Sequence, residues 1–430
     1  MEVLIESVDH EARGVGRHDN KVVFVENALP QEIVGVDIRR RKPSYETGVS
    51  TYIKSASASR IKPRCVNFGV CGGCSFQHID AKTQLAIKQR VLEDALSRVG
   101  DVRPEQILSP ICGPQFKYRS RARLSSRYVI KKERALVGFR EKGKSYVVDM
   151  TSCEVLPEDI SHLLPELRSL VQSFSIRERV PQIEVACGDD IDVLAFRMLE
   201  DPSIEDLGLL VEFGAKHDLA IFIQRGGPAT LTQIYPDESV ILTYSIPDMN
   251  LTFEFGLSEF TQVNTDVNSV LVRRAMSMLD LQPTDRVADL FCGLGNFSLA
   301  IARSGAEVIG LEANHELIDR ARSNAERNKL SDLCKFEVAN LFIEGCPDYK
   351  SIESIDKLLI DPPRDGAMEL IKSIGADGPE RIVYVSCNPA TLARDAGTLV
   401  HEHGYRLMSA GIVNMFPNTS HVESIALFVK

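Results

Sequence analysis

Apolar and polar residues alternate in short runs from the start of the chain to residue 57, as in KVVFVENALP and TGVSTYIKS, with Gly14, Gly16, Pro30 and Gly48 punctuating them. A period of two puts successive side chains on opposite faces of a strand, so residues 1–57 are predicted to form a small β-barrel. The period then changes. AKTQLAIKQRVLEDALSRVG carries apolar residues at helical spacing and ends on Gly100, which predicts a helix with a glycine C-cap. Alternation returns around residues 117–150 in YRSRARLSSRYVI and ALVGFREKGKSYVVDM, and a mixed α+β region without repeats runs to residue 258. From residue 266 the pattern is strand DRVADLF, turn CGLGN, helix FSLAIARSG, strand AEVIGLE and helix HELIDRARSNAERN. That order predicts a doubly wound parallel α/β sheet. The expected organisation is therefore a barrel over 1–57, a central domain over 58–258 and an α/β domain over 259–430.

With 430 residues, 44% of them hydrophobic, the chain can bury a large core divided among two to four domains. Its formal net charge of -10 argues against a nucleic-acid partner only if the charge is spread evenly. It is not. Residues 61–150 hold 18 Lys and Arg against 8 Asp and Glu, residues 1–60 hold 9 of each, and residues 151–430 hold 23 against 43. Screening confines each charge to about 10 Å, so the basic island can meet phosphates on an acidic protein. Arg119, Arg121 and Arg123 alternate along one predicted strand and are expected on one face, leading RNA phosphates toward a cleft. No stretch approaches the roughly 18 apolar residues of a membrane span. The opening MEVLIESVDH is acidic and lacks a signal-peptide core, so a cytoplasmic location is expected.

In that compartment the stretch CVNFGVCGGCSFQH points to metal or catalysis more than to disulfides. Cys65, Cys71 and Cys74 are one thiolate short of a structural zinc site or a [4Fe-4S] cluster, and Cys112, Cys153 and Cys187 are each available as the fourth ligand. In the α/β domain, the glycine turn after the first strand and Glu312 at the end of the second form a nucleotide site, in which the carboxylate can accept both ribose hydroxyls. The glycines alone do not separate S-adenosylmethionine from another nucleotide, since GLGNFS lacks the third glycine of a dinucleotide fingerprint. LLIDPPRDG and RIVYVSCNPATLARD place Asp361 and Cys387 at the ends of two further strands, facing the same cleft. A thiolate there suits chemistry at carbon 5 of uracil, because attack at carbon 6 turns the base into an enolate. A base must then remove the carbon 5 proton. Glu423 in HVES is the first candidate and His421 the second.

FTQVN, DLFCGLGNFSLA, DPPRDG, VSCNPATLARD and MFPNTSHVES resemble the bacterial RNA 5-methyluridine methyltransferases, while GVGRHDNKVVFVENALPQE resembles a TRAM domain and CVNFGVCGGC that family's iron-sulfur motif. The resemblance implies a SAM-dependent methyltransferase domain of Rossmann-like fold, an N-terminal OB-like TRAM barrel and a central iron-sulfur domain. It implies methylation of a specific uridine in 23S ribosomal RNA; no membrane and no obligate protein partner are evident, and a monomer is expected. Cys387 is then similar to the nucleophile and Glu423 to the base, and Gln262, Phe291, Asn296, Glu312, Asn340 and Asp361 fall on positions that contact S-adenosyl-L-methionine. The family pattern selects Cys153 to complete a [4Fe-4S] cluster with Cys65, Cys71 and Cys74. Alternative readings are a 5-methyluridine methyltransferase acting on tRNA or another ribosomal site, and a non-catalytic iron-sulfur RNA-binding regulator. A cytosine C5 methyltransferase is disfavoured, because SCNP has no acidic neighbour to protonate cytosine N3.

Overall fold

The computed structural model describes residues 1–343, 355–375 and 377–430, so Cys346, assigned by sequence to the α/β domain, lies outside the described residues. Strands β1 (Glu2–Val8), β2 (Gly14–His18), β3 (Lys21–Glu26), β4 (Ile33–Arg41) and β5 (Tyr45–Ser55) close into a barrel in the order β1-β2-β3-β5-β4. Its interior is Val3, Ile5, Val23, Val25, Val34 and Val36, the alternate residues of the predicted strands.

A cysteine-bearing loop leads to α1 (Ala81–Arg98), capped by Asp80, whose side chain accepts from the Lys82 and Thr83 amides, and then to the short β6 (Gln106–Ile107). The buried stripe of α1 is Gln84, Lys88, Leu92 and Leu96, spaced four apart, as one helical face requires. Gly100 is not the C-cap. Val99 caps the helix, and Gly100 is small because a Cβ there would come 2.2 Å from the Ala393 carbonyl oxygen.

The central sheet has the order β12-β11-β10-β9-β7-β8. It comprises β7 (Arg121–Val129), β8 (Arg134–Gly138), β9 (Gln182–Cys187), β10 (Asp192–Arg197), β11 (Leu219–Gln224) and β12 (Leu231–Tyr235), with helices α2 (Glu158–His162), α3 (Leu164–Ser173) and α4 (Ile204–His217). Leu164, Leu167 and Leu210 from α3 and α4 share its core with Ile183 and Phe196. The hairpin β13 (Leu242–Ile246) and β14 (Leu251–Phe255) packs its aromatic residues into the C-terminal core instead.

In the C-terminal region, α5 (Thr265–Leu279), β15 (Arg286–Leu290), α6 (Ser298–Arg303), β16 (Glu307–Glu312), α7 (His315–Arg327) and β17 (Cys334–Val338) are followed by β18 (Lys357–Ile360), α8 (Met368–Ile374), β19 (Arg381–Ser386), α9 (Pro389–His401), β20 (Arg406–Val413) and β21 (Glu423–Val429). The sheet order is β17-β16-β15-β18-β19-β21-β20-β6. Strand β15 has β16 on one side and β18 on the other, and this reversal opens a crevice at the carboxyl ends. Although α1 and β6 precede the central sheet, Leu92 and Leu96 pack with Ala393 and Ala396 of α9, and β6 extends the C-terminal sheet beside β20.

The alternating arginines do not form one phosphate-facing row. Arg121 turns inward, donates to the backbone carbonyls of Leu257 and Glu259 and lies over the Phe255 ring, which ties the central sheet to the C-terminal region. Arg123 pairs with Glu184 at 3.0 Å, and the Arg119 guanidinium donates to the Arg121 carbonyl. Strand periodicity gave these side chains a common direction, but carbonyls of the 257–259 segment claim Arg121, Glu184 on β9 pairs with Arg123, and Arg119 bonds to its own segment.

Candidate active site

Strand register assembles the cleft. In the antiparallel pair β19–β21, Ser386 faces Ser424, so one further residue on each strand sets Cys387 opposite Glu423. In the parallel pair β18–β19, Ile360 faces Tyr384, and Asp361 follows at the same carboxyl edge. In the pair β15–β16, Leu290 faces Leu311, which brings Phe291 beside Glu312. One cavity of about 470 Å³ is lined by Gln262, Phe291, Asn296, Glu312, Asp361, Cys387, His421 and Glu423.

On the nucleotide side, Gly293 has φ +56° and open space where a Cβ would stand, so the turn exposes backbone to a ligand. Its N–H lies 3.3 Å from Glu312 Oε2, and the Asn314 N–H donates to Oε1 at 3.0 Å, which fixes the carboxylate at the cleft. Phe291 itself adopts φ 66°, an uncommon conformation for a non-glycine residue. Asn296 is oriented by Asn268 and by the Tyr244 hydroxyl, which donates to Asn296 Oδ1 at 2.9 Å. Gln262 Oε1 is buried and has no hydrogen-bond partner among the described residues. A nucleoside with ribose hydroxyls and an amino-acid tail fits this donor and acceptor set.

Asn340 does not line the cavity: it is exposed, and its Oδ1 accepts from the Phe342 amide at 3.0 Å. Two residues on, Phe342 lines the cleft instead, its ring centroid 5.3 Å from that of Phe291. An apolar wall for a base thus stands where the sequence suggested an amide. The signal was the aromatic residue of EVANLF.

On the reactive side, burial raises the Cys387 thiol, and the carboxyls of Glu423 and Asp361 raise it further while Arg364 pulls it down. Glu423 is 6% exposed and is pushed up to about 8 by burial, then by Asp361, with Lys88 opposing. Among the described residues its Oε2 has no hydrogen-bond partner. Burial likewise pushes Asp361 up to about 7. The loop carrying Arg364 is fastened to the loop that follows Cys387, since Asn388 donates to the Arg364 carbonyl at 3.1 Å. Pro363, Arg364 and Phe416 line the cleft as well and were not singled out by sequence reasoning.

Away from this cleft, Cys65, Cys71, Cys74 and Cys153 line a single smaller cavity of about 90 Å³, with Phe68, Phe139 and Met150 among its walls. Cys112 and Cys187 are not among the residues lining it. Burial pushes Cys74 up to about 12 and Cys153 up to about 11, so these thiols stay protonated without a neighbouring cation. The Gly73 amide lies 3.3 Å from Cys71 Sγ and can donate to it. Among the described residues, no three His, Cys, Asp or Glu side chains form a ready-made metal site. The four thiols nonetheless supply the donor set that a cubane cluster requires, in one small cavity that Gln77, Arg119 and Glu154 also line.

Among the described residues no helix is long and apolar enough to cross a membrane. A family model described as tRNA (Uracil-5-)-methyltransferase matches residues 80–430, and the TRAM domain model matches residues 1–49. The chain is 51% identical over 430 residues to the 23S rRNA (uracil(1939)-C(5))-methyltransferase RlmD of Nitrosospira multiformis, covering 100% of this chain and 98% of the relative. It is 52% identical over 428 residues to the protein of the same name from Aromatoleum aromaticum, covering 99% of each. Its fold is similar to that of the Pyrococcus abyssi tRNA (uracil-54, C5)-methyltransferase crystallised with S-adenosyl-L-homocysteine, with a TM-score of 0.76 and 23% identity over 100% of both chains.

Proposed function

This chain belongs to the family described as tRNA (Uracil-5-)-methyltransferases, and from that premise we propose that it transfers a methyl group from S-adenosylmethionine to carbon 5 of a uridine in 23S ribosomal RNA. Two full-length relatives at about half identity, both named for 23S rRNA, support this substrate over tRNA. The observation that carries the chemistry is the cross-strand placement of Cys387 and Glu423 in the cleft that also holds Glu312 and Gln262.

Carbon 5 of uracil has no lone pair to offer an electrophile. Cys387 Sγ, having lost its proton, adds to carbon 6 as the thiolate, and the displaced π electrons collect on carbon 5 and the carbonyl at carbon 4. When bound, S-adenosylmethionine supplies an electrophilic methyl group on a positively charged sulfur. Gln262, Asn296, Glu312 and Asp361 hold the nucleoside and its tail so that this methyl group faces carbon 5. Glu423 then removes the carbon 5 proton; the electron pair re-forms the double bond and expels the Cys387 thiolate. Glu423 must be ionised for this step, and burial opposes that.

Cys65, Cys71, Cys74 and Cys153 are proposed to hold a [4Fe-4S] cluster with a structural role, since no step above moves an electron. Its thiolates would tie the loop before α1 to the loop that carries Cys153. The barrel supplies an RNA-binding surface, and the substrate places the reaction in the cytoplasm, carried out by a monomer.

The test is transfer of labelled methyl from S-adenosylmethionine to unmodified 23S rRNA, followed by mapping of 5-methyluridine. A single methylated uridine is expected. Methylation of tRNA alone would instead favour the second family substrate, and no transfer would favour a regulator.

A further inference from the structure

Asn296 lies just past the glycine turn and lines the cleft, and its side-chain amide is bound at both ends. Its Oδ1 accepts from the Tyr244 hydroxyl and from Asn268 Nδ2, each at 2.9 Å, and its Nδ2 donates back to Asn268 Oδ1 at 3.0 Å. An amide oxygen has two lone pairs and an amide nitrogen two hydrogens, so the oxygen is fully engaged and a single N–H is left. Among the described residues no other group takes that N–H. Both partners are themselves held. Tyr244 on β13 is buried, its ring parallel to that of Phe253 at a centroid distance of 4.8 Å and 6.0 Å from that of Phe255. Asn268 is buried in the first turn of α5, where its backbone N–H donates to the Asn264 carbonyl at 2.9 Å.

These contacts decide which way the amide points. Were Asn296 turned over, Asn268 would have to turn with it to keep the pair, and the buried Tyr244 hydroxyl would face an N–H and lose its acceptor. A buried hydroxyl without an acceptor is unfavourable, so Asn296 presents a donor to the cleft and no acceptor. The parts of S-adenosylmethionine differ in whether they can use such a group. The ammonium has hydrogens only, Glu312 suits the ribose hydroxyls, and the Phe291–Phe342 wall suits the adenine. The carboxylate accepts without donating, and its charge strengthens the bond. We propose that Tyr244 and Asn268 are positioning residues that lock Asn296 as a hydrogen-bond donor to the carboxylate of the methionine tail. A freely turning amide would serve either end of that tail, whereas a locked one admits it in one orientation. The inference rests on the reading of this cleft as the S-adenosylmethionine site.

The test is calorimetric titration of the full chain, without RNA, with S-adenosylmethionine and with its decarboxylated analogue, which keeps the adenosine, the sulfonium and the ammonium. Asn268→Leu is expected to weaken S-adenosylmethionine about ten-fold, the scale of one hydrogen bond to a charged group, and Tyr244→Phe about three-fold, because Asn268 still holds the amide there. Neither variant should change the Kd of the analogue, and Asn296→Ala should show the same selective loss as Asn268→Leu. Should Asn268→Leu not fold, Tyr244→Phe decides, since it removes one oxygen from an otherwise unchanged aromatic slot. Equal losses for the two ligands would mean that the variants only distort the cleft, and unchanged affinity for S-adenosylmethionine would mean that Asn296 needs no support; either result overturns the proposal. Asn296→Ala and the wild type separate the two levels. If Asn296→Ala weakens S-adenosylmethionine while Asn268→Leu and Tyr244→Phe do not, only the positioning role fails; if the wild type binds neither ligand, the reading of the cleft fails and the proposal with it.

Discussion

Glu423, the proposed base, is buried at the expense of stability. A carboxyl that folds from an ordinary value to about 8 binds its proton more tightly in the folded state. The folded state therefore loses stability as pH rises from the unfolded value through about 8, and the loss is absent in acid. Glu423→Gln removes that dependence. Its unfolding free energy, from urea melts between pH 5 and pH 9, is expected to gain on the wild type as pH rises, by up to a few kcal/mol. A difference that stays constant with pH would contradict the burial account. At this scale the sequence was partly legible. Cys387, Asp361, Glu312 and Glu423 could be placed because they terminate or begin recognisable strands. Asn340 could not, since one residue of turn decides whether the amide or Phe342 reaches the cleft. The burial of Lys88 was missed because a lysine in an amphipathic helix ordinarily faces water.

Element by element, periodicity identified the barrel strands, α1 and the βαβ units, because each buries one face at its own period. It did not show where α1 docks, since that depends on residues some three hundred positions away. Gly100 read as a helix stop, yet it is the contact where the end of α1 meets α9. Gly100→Ala would be mild at a simple C-cap, but here it forces a Cβ against the Ala393 carbonyl. We expect a loss of about 1–3 kcal/mol in denaturant unfolding. A change under 0.5 kcal/mol would show that the interface gives way freely. The 414–419 segment gains its shape from the same region: the Ser75 and Phe76 amides donate to the Asn418 carbonyl at 2.9 Å, and Gln84 and the Asn418 amide side chain and backbone exchange hydrogen bonds. The cysteine loop therefore supports the strand that presents Glu423.

Across the whole molecule, the acidic total conceals an uneven distribution: residues 151–430 are acidic, residues 61–150 basic and residues 1–60 balanced. Because Arg121 is committed internally, we expect RNA contacts from the exposed Arg39, Arg40 and Arg41 at the end of β4, where Arg39 pairs with Asp37 and Arg41 with Glu46 at the surface. Replacing all three by Ala is expected to weaken 23S rRNA binding and flatten its salt dependence, through fewer released counterions, while labelled methyl transfer persists at high RNA concentration. Unchanged affinity and slope would assign RNA binding elsewhere. Anaerobically purified protein should be brown with about four irons per chain, and Cys153→Ser should lose most of them. Metal analysis finding zinc without iron, or Cys112→Ser removing the metal in place of Cys153→Ser, would contradict the ligand set.

The central claim is covalent methylation through Cys387 with proton removal by Glu423, and it is tested most directly by the mass of Glu423→Gln after incubation with 23S rRNA and S-adenosylmethionine, denaturation and ribonuclease digestion. With elimination blocked, the protein is predicted to gain the mass of a methylated uridine nucleotide, and Cys387→Ala in the same background to gain none. Normal turnover by Glu423→Gln, or an adduct that persists without Cys387, would contradict the account.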